Sequence, residues 1–110
     1  MSSERIVAEL STISEYQRFI KVHQEVILIA SATWCGPCKI IKPFYVEKIN
    51  TLPSNFSIAL IDINKAPSIS RRLSIRVVPC IMSILDGEPR DVVMGANKNT
   101  ITSFFNKLNC

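Results

Sequence analysis

Two cysteines three positions apart, Cys35 and Cys38, are the residues of this chain whose type and spacing best support a chemical reaction. They lie in the segment Trp34-Cys35-Gly36-Pro37-Cys38-Lys39, between a short apolar run and a run with helical periodicity. Cysteines at i and i+3 on the first turn of a helix come close enough to bridge, and Gly36 and Pro37 favour a tight turn into that helix. The spacing therefore predicts a short disulfide that forms and breaks reversibly.

A helix N-terminus also makes a thiol more reactive. Only a thiolate attacks a disulfide, and a thiol with an ordinary pKa of about 8.5 is roughly 3% ionised at neutral pH. The positive end of the helix dipole stabilises an anion by up to about 2 kcal/mol, which lowers a pKa by roughly 1.5 units. We therefore expect Cys35 to attack and to form a mixed disulfide with a substrate. Cys38, expected one turn deeper and less exposed, is then the resolving thiol that releases the reduced product.

Other polar or aromatic residues are assigned lesser roles. Trp34 is interpreted as a rim against which a peptide substrate rests, with a place in the core as the alternative. Lys39 either adds positive field or is a solvated surface lysine. His23 is interpreted as a group at a helix C-terminus rather than a metal ligand. Because structural zinc needs four ligands and the chain has a single C-x-x-C, we expect no metal and no bound cofactor.

The elements that must position the cysteines follow from hydrophobic periodicity. The block at 26–30 is continuously apolar, which predicts a strand buried on both faces just before the pair. Further strands are predicted at 5–10, 56–62, 80–85 and 90–94, and Asp86-Gly87 marks a hairpin turn. Helices are predicted after a capping box at Thr12, from about 35 to 50 with a kink at Pro43, over 67–73, and after caps at 97–100. This order predicts a three-layer α/β/α fold whose mixed central sheet of about five strands is flanked by four helices.

Composition limits the remaining classes. A length of 110 residues, 47% hydrophobic and 20% charged, predicts a single domain over residues 1–110. The net charge of +4 is scattered, with Arg71-Arg72 the only adjacent basic pair, so we expect no nucleic-acid binding. No apolar run approaches the length of a membrane span and no secretion signal is visible, so we expect a cytoplasmic protein that does not bind membranes. Four cysteines are too few for a disulfide scaffold, which favours redox or metal chemistry.

Several motifs together resemble those of a thioredoxin over nearly the whole chain. They are Trp34-Cys35-Gly36-Pro37-Cys38-Lys39, Pro43, Ile75-Arg76-Val77-Val78-Pro79, Asp86-Gly87 and Gly95. The resemblance implies a thioredoxin fold, reduction of disulfide-containing protein substrates, and a thioredoxin reductase as electron donor. It also implies a cis Val78–Pro79 peptide beside the disulfide, where the backbone of Val78 pairs with an extended substrate and Gly95 completes an apolar rim. An ordinary trans proline at a strand start is the alternative.

The chain departs from the family pattern behind the second cysteine. Ile29 and Leu60 occupy positions at which similar thioredoxins usually carry a buried aspartate and a lysine. Since that aspartate is thought to help deprotonate the resolving thiol, we predict slower attack by Cys38 and longer-lived mixed disulfides. Cys80 follows Pro79 where a threonine is usual, and is either an inert core residue or a thiol that exchanges with the pair.

Two further expectations concern assembly and an alternative function. We expect a monomer, in which Cys110 could cross-link two chains under oxidising conditions. The alternative function is a peptide-binding or chaperone module that uses the Val78–Pro79 edge and has weak or regulatory redox activity.

Overall fold

Residues 5–109, which a computed structural model describes, form five strands and four helices. The elements are β1 (Val7–Glu9), α1 (Ile13–Val22), β2 (Glu25–Ser31), α2 (Gly36–Ile49), β3 (Ser57–Asp62), α3 (Pro67–Arg72), β4 (Cys80–Leu85), β5 (Glu88–Met94) and α4 (Lys98–Leu108). The predicted order of elements is confirmed. Within the described residues, no helix combines the length and apolarity needed to cross a membrane.

The strands form one mixed sheet in the order β1-β3-β2-β4-β5. β3 runs parallel to both β1 and β2, whereas β4 is antiparallel to β2 and β5 is antiparallel to β4. β2 is thus the central strand, and its carboxyl end leads directly to the two cysteines. In this register Ile29 lies beside Leu60 on one side and beside Ile81 on the other.

β2 supplies both hydrophobic cores because its side chains alternate between the two faces of the sheet. Val26, Leu28 and Ala30 belong to the core under α1 and α3. Ile27 and Ile29 belong to the core under α2 and α4. The predicted three-layer α/β/α architecture is therefore confirmed, and the continuous apolar run reflects burial on both faces.

Local signals fix several element boundaries. At α1 the Thr12 hydroxyl accepts the Glu15 N–H, and the Glu15 carboxylate accepts the Thr12 N–H, which completes the predicted capping box. In the hairpin between β4 and β5, Asp86 and Gly87 have φ angles of +53° and +82°. A two-residue hairpin turn of type I′ requires positive φ angles at both of its central residues.

Two strands, β1 and β5, differ most from their predicted bounds. β1 is shorter than 5–10, although Ile58 N–H donates to Ile6 O and Leu10 N–H donates to Leu60 O just outside it. β5 begins at Glu88 rather than at 90, because Pro89 is tolerated in an edge strand. α2 continues as one helix through Pro43, and the kink at that residue stays a prediction.

Candidate active site

The two cysteines are joined by a disulfide at the start of α2. Their Cα atoms are 5.3 Å apart, a separation that a disulfide spans readily. Cys35 is the N-cap of the helix, with extended backbone angles (φ −85°, ψ 104°), and Cys38 lies on the first turn. The Cys35 N–H donates to Ala32 O at 3.1 Å, which ties the cap to the end of β2.

The sulfur of Cys35 takes the place of the usual capping oxygen. The backbone N–H of Cys38 donates to Sγ of Cys35 at a distance of 3.2 Å. N-cap side chains normally satisfy one of the amides that have no partner in the first helical turn. An amide and the N-terminus of the helix both face this sulfur, and this placement favours a thiolate at Cys35.

A loop before β4 faces the disulfide. Its Val78–Pro79 peptide is cis, as the resemblance implied, and the alternative of a trans proline is wrong. The carbonyl oxygen of Val78 lies 3.8 Å from Sγ of Cys35. Ala32 and the two cysteines form a small buried cluster, against which Val78 packs. The fold therefore brings Cys35, Cys38 and Val78 together as predicted.

Gly95 is attached to this loop through its backbone. Its N–H donates to Pro79 O at 2.8 Å, and its φ of +95° lies in a region that residues with a side chain rarely adopt. A Cβ atom at this position would meet nothing within 4 Å. Glycine is therefore required here by backbone conformation, and any role in admitting a peptide is additional.

The predicted order of cysteine exposure is wrong. In the disulfide form Cys35 is 3% exposed and Cys38 is 5% exposed, so both sulfurs are buried and Cys38 is not the deeper one. The reason is that the capping geometry turns Cys35 toward the Cys38 amide and the Val78 carbonyl. Exposure in this state therefore cannot assign the roles of the two thiols.

Exposed apolar side chains lie close in sequence to the paired cysteines and the cis-proline loop. Trp34 is 65% exposed, which rules out the alternative of a core position. Gly36 and Pro37 are exposed beside it. Val77 and Met94 are also exposed, and sequence reasoning did not single them out. Each directly precedes a predicted site residue, and that adjacency is the signal that could have identified them.

Cys80 lies in the core rather than at the reactive pair. It is completely buried, pairs with Ala30 across the sheet, and packs in the cluster under α1 and α3. Burial raises the pKa of its thiol to about 11. Both observations support the interpretation of Cys80 as an inert core residue. Cys110 lies outside the described residues.

No described residues form a metal site. Among positions 5–109 there is no group of three or more histidine, cysteine, aspartate or glutamate side chains placed to hold an ion. His23 instead lies against the Phe19 ring, with Nδ1 3.2 Å from the Ser57 hydroxyl.

Comparison with known proteins agrees with this geometry. The thioredoxin family model matches residues 7–107. A thioredoxin of Coprinus comatus is 31% identical over 104 residues, which cover 93% of this chain and 97% of that protein. Thioredoxin-2 of Pyricularia oryzae is 30% identical over 96 residues. The matched region covers 87% of this chain but only 56% of that protein. The crystal structure of oxidised mitochondrial thioredoxin 3 from Saccharomyces cerevisiae has the same fold, with a TM-score of 0.83 at 24% identity over 93% of this chain and 95% of that one. The chain therefore belongs to the thioredoxin family and is a thiol-disulfide oxidoreductase.

Proposed function

We propose that this protein reduces protein disulfides, with Cys35 as the attacking thiolate and Cys38 as the resolving thiol. The observation that carries the assignment is the hydrogen bond from the Cys38 N–H to Sγ of Cys35 at the helix N-terminus. A negative charge at Cys35 is stabilised there by an amide and by the dipole, whereas Cys38 supplies the amide and has no equivalent donor among the hydrogen bonds of the described residues.

The reaction consists of two exchanges. First, the Cys35 thiolate attacks one sulfur of the substrate disulfide, so that a bond forms between Cys35 and the substrate while the substrate S–S bond breaks and one substrate thiolate leaves. Second, Cys38 loses its proton and attacks Sγ of Cys35, which forms the Cys35–Cys38 disulfide and releases the second substrate thiolate. The two released thiolates take up protons, and two electrons pass from the protein to the substrate.

A substrate is proposed to dock on the surface formed by Trp34, Gly36, Pro37, the Val78–Pro79 loop and Gly95. Two observations support this surface. Trp34 is largely exposed although it is an aromatic residue, and the loop places the Val78 backbone beside Sγ of Cys35. Aromatic side chains with an exposed face are frequent at protein interfaces. An extended segment beside Val78 would bring its own disulfide to the attacking sulfur.

Reduction of insulin disulfides by the purified protein, driven by dithiothreitol, tests the two roles. We expect Cys35→Ser to abolish turnover without forming an adduct. Cys38→Ser should also stop turnover, but should accumulate a mixed disulfide that mass spectrometry under non-reducing conditions detects on Cys35. Cys80→Ala is the matched control for loss of a cysteine outside the pair and should keep its turnover.

Two outcomes would contradict the proposal. Accumulation of a mixed disulfide by Cys35→Ser, rather than by Cys38→Ser, would exchange the two roles. Full turnover by Cys35→Ser would show that the reaction does not depend on the Cys35–Cys38 pair. Every variant in this assay should also carry Cys110→Ser, because the Cys110 thiol could form adducts of its own.

The cellular setting is part of the same proposal. We propose a single domain over residues 1–110 that acts as a monomer in the cytoplasm and carries electrons from a thioredoxin reductase to protein disulfides. A reductant of this kind needs a compartment in which the dithiol is regenerated, and cytosolic thiols are kept reduced. The yeast structural neighbour is mitochondrial, so the compartment should be established by imaging a tagged chain. Size-exclusion chromatography in the presence and absence of dithiothreitol would test the monomer and any dimer linked through Cys110.

A further inference from the structure

A cleft of about 540 Å³ lies behind Cys38, on the side of the sheet that is covered by α2. It runs along one face of α2, past Cys38, Lys42, Tyr45 and Ile49, and over the edge of the sheet formed by β1 and β3. Its volume falls within the range of about 300 to 1,000 Å³ that is usual for small-molecule sites. This space is separate from the exposed surface around Trp34, which does not line it.

The floor of the cleft is apolar. Ile29 and Ile58 are each at most 3% exposed, and Leu60 lies beside Ile29 in the sheet. Ile29 and Leu60 carry no charge, so an alkyl chain can lie over this floor without desolvating an ion.

The charges on the cleft are unequally shared. Four basic side chains and two carboxylates line it, which leaves an excess of two positive charges. The guanidinium of Arg5 already donates to the backbone carbonyls of Ile49, Leu52, Pro53 and Phe56. Lys39, Lys42 and Lys65 remain, and across residues 5–109 none of them forms a salt bridge.

The three lysines lie at one end of the cleft, and the apolar floor extends from there toward the other end. Lys39 and Lys42 are on the first turns of α2, and Lys65 follows the carboxyl end of β3. Ile49 and Ile58 mark the other end, since one lies on the last turn of α2 and the other at the start of β3. The N-terminus of α2 adds its partial positive charge to the lysine end.

The two carboxylates do not cancel this polarity. Asp62 also lies at the lysine end, where it offsets one of the three lysine charges and accepts the N–H of Asn64 at 2.9 Å. Glu9 is exposed at the end of β1 and pairs in register with Leu60. The lysine end therefore keeps a net positive charge. The opposite end is hydrocarbon apart from the Arg5 guanidinium, whose donors are taken up by four backbone carbonyls.

We infer that this cleft binds an amphipathic anion, specifically an unbranched alkyl carboxylate. Its headgroup lies between Lys39, Lys42 and Lys65, and its chain lies over Ile29 and Leu60 toward Ile58. Charge complementarity selects the carboxylate and the apolar floor selects the tail. The inference is independent of which thiol attacks, although Cys38 lies in the wall of the cleft.

Isothermal titration of the oxidised protein with decanoate, below its micelle concentration, tests the inference. We expect saturable binding of one decanoate per chain. Decyltrimethylammonium has a ten-carbon chain but a cationic head, and acetate has the head without the chain. Both should bind at least tenfold more weakly than decanoate. Methyl NMR shifts on decanoate addition should be largest for Ile29, Leu60 and Ile58.

Charge variants provide the matched comparison. Lys42→Glu with Lys65→Glu should weaken decanoate binding at least tenfold. Lys21→Glu with Arg90→Glu changes net charge equally at exposed positions away from the cleft and should change the affinity less than twofold. Leu60→Trp should abolish binding by filling the floor, and the charge pair decides the question if that variant does not fold.

Three results would overturn the inference. They are the absence of saturable decanoate binding, equal binding of decyltrimethylammonium, and equal weakening by both charge pairs. Insulin reduction measured on the same preparations separates this result from the proposed function. If the protein reduces insulin but binds no decanoate, only the inference about the cleft is refuted. If it binds decanoate without reducing insulin, only the proposed redox function is refuted.

Discussion

The backbone N–H of Cys38 points at Sγ of Cys35 from 3.2 Å, so the second cysteine of the pair stabilises the first through its main chain. Hydrogen bonds to an anion are roughly twice as strong as those between neutral groups. The same contact is therefore worth more to a reduced Cys35 thiolate than to the disulfide.

This contact predicts a low pKa for Cys35 in the reduced protein. We expect it to lie below the ordinary value of about 8.5, because an amide and the helix N-terminus both favour the thiolate. The pH dependence of the rate of iodoacetamide alkylation measures it, with Cys35→Ser as the control that identifies the signal. A pKa at or above 8.5 would contradict the capping argument.

Ile29→Asp should speed the resolving step. A carboxylate at this buried position, beside Leu60 and in the wall that includes Cys38, could accept the proton of the Cys38 thiol. Stopped-flow measurement of mixed-disulfide decay should show a faster phase in the variant. Ile29→Asn is the control, because asparagine has nearly the same shape as aspartate but no titratable group. It should leave that rate unchanged. An unchanged rate in Ile29→Asp would refute the prediction.

Gly95→Ala should destabilise the oxidised protein by about 1 to 2 kcal/mol, the cost of placing a Cβ atom in left-handed backbone. The φ angle of +95° is the cause, since no atom lies within 4 Å of the added Cβ. Chemical denaturation provides the free energy of unfolding. Gly36→Ala is the matched control, because Gly36 begins α2 and also has open space around it. Equal losses in the two variants would exclude a conformational cause.

Cys80 should not react with thiol reagents in the folded protein. With a pKa of about 11, about one thiol in a thousand is ionised at pH 8, and the side chain has no solvent exposure. In oxidised protein carrying Cys110→Ser, iodoacetamide should label no cysteine before denaturation and one after it. Rapid labelling of the native protein would show that the core around Cys80 opens.

The raised pKa of Cys80 also predicts that the stability of the protein depends on pH. Between about pH 9 and 11 the unfolded thiol ionises while the folded one keeps its proton, so the unfolded state binds fewer protons and stability falls as pH rises. The difference in unfolding free energy between the Cys110→Ser protein and its Cys80→Ala derivative should decline across this window. A difference that does not change with pH would contradict the raised pKa.

The linear pattern of residues determined the order of elements and the place of the chemistry. Continuous apolar residues at 26–30 indicated a strand buried on both faces, and the Thr12 capping box marked the first helix. The spacing of Cys35 and Cys38 indicated a reversible disulfide at a helix start. These properties depend on periodicity and on contacts within one turn, which is why they can be read without the fold.

The tertiary structure decided what surrounds that disulfide. Both sulfurs are buried because Val78, 43 residues after Cys35 in the chain, brings its carbonyl to within 3.8 Å of Sγ of Cys35. The cleft behind Cys38 exists because β1, β3 and α2 meet there, and no single segment contains its apolar floor and its lysines. Such features arise from contacts between distant segments, whose geometry is set by packing rather than by local sequence.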